Sequence, residues 1–229
     1  MYLGFVDMNP GFLIIIAAMI IGLVARSKVS STYRKFSGIN TERELSGARV
    51  AREILDNYGL ANIDIQEIEG QLTDHYDSRN SVLCLSRGVY SGTSIASAGI
   101  AAHEAGHAVQ DAMGYSPFKL RQKLVPVASL GSQMLFPLII GGLFFHIAQL
   151  YYIGAALYGA ALLFQIVTLP VEFDASRRAV VYLQRSGGMT GEELKGVKKV
   201  LGAAAMTYLA AALASLGQMV WLLLAGRRR

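Results

Sequence analysis

Four apolar runs constrain this chain more than any other feature of it. They cover about residues 12–25, 125–145, 150–169 and 201–225. A bilayer core takes about 20 consecutive apolar residues, so the later three are long enough to cross and the first is short. Hydrophobic residues make up 53 % of the 229 and charged residues only 16 %, and the apolar excess is gathered into these runs. The pattern predicts a mostly α integral membrane protein with about four transmembrane helices, leaving residues 30–124 for a small α+β domain.

Charge placement orients the runs. No basic residue precedes the first run, whereas Arg26, Lys28, Arg34 and Lys35 follow it. A secretory signal has the opposite polarity, so residues 1–29 read as a retained anchor with its amino end outside and the basic cluster in the cytoplasm. Residues 125–169 read as a helical hairpin whose link, His146-Ile147-Ala148-Gln149, has no formal charge and belongs on the translocated side. Counting four crossings then places Arg227-Arg228-Arg229 outside, against the positive-inside tendency. Either the final segment, 200–229, does not cross fully or the tail is an exception. The bilayer is the expected partner, and no nucleic acid is. A single cysteine, Cys84, excludes an intramolecular disulfide and a Cys-rich zinc site.

Between the first and second runs the pattern changes. Leu45, Ala48, Ala51, Ile54, Leu55 and Tyr58 recur at helical spacing after a cap at Asn40 or Thr41, and Gly59 ends that helix. Residues 63–68 alternate as a strand, and 72–76 with 81–85 flank the turn Asp77-Ser78-Arg79-Asn80 as a β-hairpin. A helix follows over about 94–113, capped by Thr93 or Ser94 and stopped by Gly114. Beyond the membrane hairpin, residues 170–199 offer a further helix over 172–184 and the loop Ser186-Gly187-Gly188. Thr190 with Glu193 then forms a capping box that opens the last helix.

The helix over 94–113 contains His103-Glu104-Ala105-Gly106-His107, an HExxH pattern. Residues four apart share a helix face, so the two imidazoles can address one tetrahedral cation. Glu104 is one position round, where a carboxylate takes a proton from a water the metal activates instead of binding the metal. The plain alternative is two satisfied core histidines. Three ionisable groups on so apolar a helix are costly to bury without a shared partner, which favours the metal. A catalytic zinc needs one more protein ligand. The extended motif is absent, since Gln110 stands where its glycine would be and Met113 where its third histidine would be. His146 belongs to the far side of the hairpin and Asp111 is too near in sequence, which leaves Glu172, Asp174 and His75. Glu172 is preferred, because it leaves the third run after Pro170 on a helix. Its own plain alternative is a surface charge in a Glu/Arg network.

Three runs carry a family resemblance: Leu72-Thr73-Asp74-His75-Tyr76-Asp77, the stretch Ala101 through Gln110 around HExxH, and Pro170-Val171-Glu172-Phe173-Asp174-Ala175-Ser176-Arg177-Arg178-Ala179. They resemble the YugP-type bacterial membrane-bound neutral zinc metallopeptidases and, more distantly, the HtpX and CAAX-prenyl-protease kind of membrane gluzincin. The resemblance covers nearly the whole chain. It implies a zincin-like cytoplasmic domain with Zn²⁺ held by His103, His107 and Glu172, and Glu104 as the base. In the distant relatives an Asp four residues after the ligand Glu steadies a zinc histidine, and here that place is Ser176. Arg177 follows where those relatives also have an arginine, either to pair with a carboxylate or to steady the tetrahedral intermediate. His75 and Tyr76 are the other donors able to reach an oxyanion. The expected activity is a membrane-anchored zinc endopeptidase acting on protein or peptide substrates in or near the membrane. The alternative is a non-proteolytic zinc-stabilised membrane scaffold, for which Glu104 would have no use. A transporter is disfavoured, because the spans hold no carboxylate or lysine to form a pathway.

Overall fold

A computed structural model describes residues 10–226. Residues 1–9 and 227–229 lie outside the described residues, and with them the start of the expected anchor and the Arg227-Arg228-Arg229 tail. The order of elements is α1 (Pro10–Ser37), α2 (Gly47–Asn57), β1 (Asp64–Ile68), β2 (His75–Asp77), β3 (Val82–Ser86), α3 (Arg87–Tyr90), α4 (Ile95–Ala112), α5 (Ser116–Phe144), α6 (Ala148–Arg185) and α7 (Gly191–Gly226). The chain forms two compact units, one from residues 1–26, 120–169 and 207–229, the other from 27–119 and 170–206.

The first unit is helical and apolar. Ala128, Leu135, Tyr158, Ala161 and Leu222 form its core, and a Cβ on Gly131 would strike the Leu157 carbonyl, so α5 and α6 cross almost backbone to backbone. Phe136, Ile140, Phe144, Ile153 and Ile166 are exposed, as lipid-facing side chains would be. Among the described residues three helices are long and apolar enough to cross a membrane: Ser116–Gly142, Tyr152–Arg185 and Gly191–Leu223. Among the described residues α1, with its short apolar run, is not one of them. The link between α5 and α6 is Phe145-His146-Ile147, tighter than expected, with His146 at φ +57°.

α6 differs from the sequence reading. A run ending at 169 and a separate helix over 172–184 were expected around Pro170, but one helix of 38 residues passes through it. Proline removes a single N–H donor, and a helix with long flanks absorbs that loss as a local bend.

The second unit is built around α4. Ala96, Ala98, Ala101, Ala102, Ala105 and Ala108 are all at most 1 % exposed, so this helix is enclosed on every side by short residues that let neighbours come close. Its cap is Ser94, whose hydroxyl accepts from the Ser97 amide, and Gly114 at φ +67° ends it. The expected cap of α2 is corrected. Ser46 takes that role, because Asn40 bridges Ser94 and the Thr41 amide and hydroxyl both donate to the Thr93 carbonyl. Those residues are spent fixing the start of α4. The Thr190–Glu193 capping box is present in full, and the second Glu193 oxygen accepts from the Glu42 amide at 2.7 Å.

The sheet has the order β1-β3-β2, with β2 antiparallel and β1 parallel to β3. The hairpin is as the turn residues suggest: Asp77 accepts from the Arg79 and Asn80 amides. The parallel β1–β3 pairing has no local signal and was not expected. Ile65, Leu83 and Tyr76 are in register on the inner face, and Gln66, Cys84 and His75 on the outer.

α4 and α6 come together at Gly106, where a Cβ would come within 2.9 Å of the Ala175 carbonyl oxygen. Gly106→Ala should therefore force α4 and α6 apart and cost about 1–3 kcal/mol, despite alanine's better helix propensity. Thermal unfolding in detergent checks this, and an unchanged or raised midpoint would show that the contact is loose.

Candidate metal centre

The approach at Gly106 determines what faces α4. Glu172 stands one turn before Ala175 on α6, opposite the helix face that carries His103 and His107. His103 Nε2 is 3.2 Å from Glu172 Oε2 and His107 Nε2 is 3.7 Å from the same oxygen. One donor atom from each of the three lies within 4.8 Å of the others, making a group able to hold a metal ion. Donors bound tetrahedrally at about 2.0–2.1 Å stand about 3.3 Å apart, so the spacing suits a zinc-sized cation. Two imidazoles and a carboxylate are also the donor types such a cation takes with one position left open.

The far ring nitrogens fix which atoms are offered. His103 Nδ1 is 3.1 Å from Ser176 Oγ, and His107 Nδ1 is 3.0 Å from Gln110 Oε1. Gln110 is fully buried, and its Nε2 donates to the Val171 carbonyl and to Asp174 Oδ2. With the amide nitrogen facing two acceptors, Oε1 must face His107, which therefore donates from Nδ1 and keeps the Nε2 lone pair for a cation. Asp174 is held in turn by the guanidinium groups of Arg177 and Arg178. The series His107–Gln110–Asp174–Arg178 locks α4 to α6 through side chains alone. Phe118 covers the His107 ring at 6.0 Å between centroids.

Glu104 is half-buried on α4 beside His103 and is not one of the three grouped donors. Asp174 lies two residues from Glu172 and so about 200° round the helix, engaged with Gln110 and the two arginines. Arg177 has a side chain 75 % exposed and reaches Asp174 at 2.8 Å. The fold does not bring His75 to the three donors. It stands exposed on the outer face of edge strand β2, with Nδ1 2.9 Å from the Thr73 carbonyl. Its neighbour Tyr76 points inward, its hydroxyl donating to Asp111 on α4 at 3.2 Å. Burial and the adjacent Asp111 carboxylate push the Tyr76 phenol up to about 12, so it remains a neutral donor there. Burial likewise raises the Asp74 carboxyl, opposed by bonds from the Ser86 amide and hydroxyl that pin β2 to β3.

Gln110 was visible in the sequence only as a departure from a longer motif. A polar residue at i+3 from a candidate ligand histidine, on an otherwise apolar helix face, is the signal that could have found it. Ser176, by contrast, occupies the position where the distant relatives carry an aspartate, and here its hydroxyl does meet the ring of His103.

Comparison with known proteins gives a consistent result. Residues 11–227 match a family model described as "Putative neutral zinc metallopeptidase". The chain is 42 % identical over 205 residues to the "Putative membrane protease YugP" of Bacillus subtilis (strain 168), covering 90 % of this chain and 91 % of that one. No solved structure matches. With the match extending over almost its whole length, this chain belongs to the neutral zinc metallopeptidase family that the model describes.

Proposed function

We propose that this protein is a membrane-anchored zinc endopeptidase of the gluzincin type, working at the cytoplasmic face on membrane or membrane-associated proteins. The observation that carries the proposal is the convergence of His103, His107 and Glu172 from two helices, with Glu104 beside them. Bound there, zinc supplies Lewis acidity toward a scissile carbonyl and acidifies a water. Glu104 accepts that water's proton and delivers it to the leaving amine. Ser176 and Gln110 hold the two rings so that their Nε2 lone pairs stay turned to the centre. Arg177 has five N–H donors, of which the contact with Asp174 uses one, and is assigned to the developing oxyanion. His75 is assigned to edge strand β2, where an extended substrate can pair by its backbone. α1, with Met19, Ile20, Leu23 and Val24 exposed, supplies a fourth crossing in this reading.

The scaffold alternative is separated by one substitution. Glu104→Gln should retain one zinc per chain and the parent's helix content while losing turnover of an unstructured reporter by several orders of magnitude. Cleavage at the parent rate would place the base elsewhere, and absence of cleavage by the parent itself would favour the scaffold.

The ligand set is tested by metal analysis. His103→Ala, His107→Ala and Glu172→Ala should each abolish stoichiometric zinc, whereas Asp174→Ala should keep it at reduced affinity. Full occupancy in Glu172→Ala would remove Glu172 from the set. Gln110→Met preserves bulk but deprives His107 Nδ1 of its acceptor, and should weaken zinc affinity by about 10–100-fold.

The orientation is tested by labelling. A cysteine placed in the Asp77–Asn80 turn, in a Cys84→Ser background, should resist an impermeant thiol reagent in intact cells and react in inverted vesicles. The reverse pattern would place the domain outside.

A further inference from the structure

A groove of about 580 Å³ lies between α1 and α7, within the unit that carries the metal centre but separate from it. Its rim holds Lys28 and Lys35 from α1 and Lys198 and Lys199 from α7, all exposed. No carboxylate lines it. Among the described residues none of these four lysines is in an ion pair; of the two acids nearest the α7 pair in sequence, Glu193 is engaged with Thr190 and the Glu42 amide and Glu192 is bound to Lys195 at 2.6 Å. Ser31 and Thr32 also line it. The rest of the lining includes buried Phe36 and Ala203 and the exposed apolar side chain of Met206. Position 202 in this lining is glycine, and an added Cβ there would meet nothing within 4 Å.

Four ammonium groups around one groove repel one another, and an entering anion relieves that repulsion. Apolar lining beside four ammonium groups suits an amphiphile whose phosphate meets the lysines. The helices themselves favour a lipid over a soluble anion: α7 continues from Lys199 along the candidate span Gly191–Leu223, and the turns of α1 just before Lys28 carry exposed Met19, Ile20, Leu23 and Val24. Lysines at the root of such helices sit at headgroup level. We propose that this groove binds the phosphate headgroup of an anionic phospholipid.

The test uses the full chain in phosphatidylcholine nanodiscs containing a minority of phosphatidylglycerol, with native mass spectrometry counting the lipid that stays on the released protein. The parent should retain phosphatidylglycerol in preference to phosphatidylcholine. The combined Lys28→Gln, Lys35→Gln, Lys198→Gln and Lys199→Gln variant should lose that preference by at least about tenfold. Gly202→Leu keeps every charge and projects an apolar side chain into the groove, and should lose it comparably. It decides the matter alone if circular dichroism shows the lysine variant misfolded. Undiminished retention by Gly202→Leu would reduce the effect to diffuse surface charge and overturn the site. A parent that binds inorganic phosphate and retains no phosphatidylglycerol would overturn the lipid assignment.

Discussion

A carboxylate 2 % exposed to solvent, set between two imidazoles, is the arrangement that the rest of this unit must accommodate. An unpaired carboxylate so deeply buried would cost several kcal/mol, so Glu172 is tolerable only where the histidines are, and the histidines only where α4 and α6 nearly touch. That requirement explains the composition of α4. Alanine is the best helix former and the smallest residue that keeps a Cβ, so a helix of alanines can be enclosed by neighbours at short range without losing its own stability. Gly106, between the two histidines, gives up helix propensity for the last fraction of approach to Ala175.

Polar partners then hold what packing brings together. Both rings are oriented by neutral groups, a serine hydroxyl and a glutamine amide, and the charge enters one step further out at Asp174 with its two arginines. Gln110 is well suited to this position. It offers an acceptor to His107 and a donor to two oxygens of α6 at once, so its burial leaves neither end without a partner. An aspartate there could accept from the ring but could not donate to Val171 or Asp174. The glutamine therefore sets the tautomer of His107 and joins the helices with one side chain.

Much of this site is legible in the sequence because its chemistry is local. HExxH needs only a helix, and Glu172 could be picked out by exclusion and by its place after the third apolar run. The cap at Ser94, the stop at Gly114 and the Thr190–Glu193 box are likewise short-range signals. What escaped depended on distant neighbours. The parallel pairing of β1 with β3 is set by Ile65 and Leu83 sharing a core face, which no residue between them announces. The true cap of α2 was hidden because Asn40 and Thr41, good caps by type, are occupied with the start of α4. Pro170 suggested a break, yet the helix on either side is long enough to carry it. His75 looked eligible by residue type, and only the strand register shows that it lies on the face opposite to Tyr76 and α4.

The order of the three grouped donors along the chain adds a constraint on topology that does not depend on counting charges. His103 and His107 precede α5, Glu172 follows most of α6, and the three belong to one compact unit although residues 120–169 between them belong to the other. A membrane separating the two histidines from the glutamate would make the group impossible. The chain must therefore cross an even number of times between His107 and Glu172, and the candidate spans of α5 and α6 provide two. The tight link Phe145-His146-Ile147 is what lets those two helices run as a pair, and the close crossing of Gly131 on Leu157 is what holds the pair together. The three donors can therefore share one cation only if residues 120–169, with the candidate spans among them, return the chain to the side from which it left.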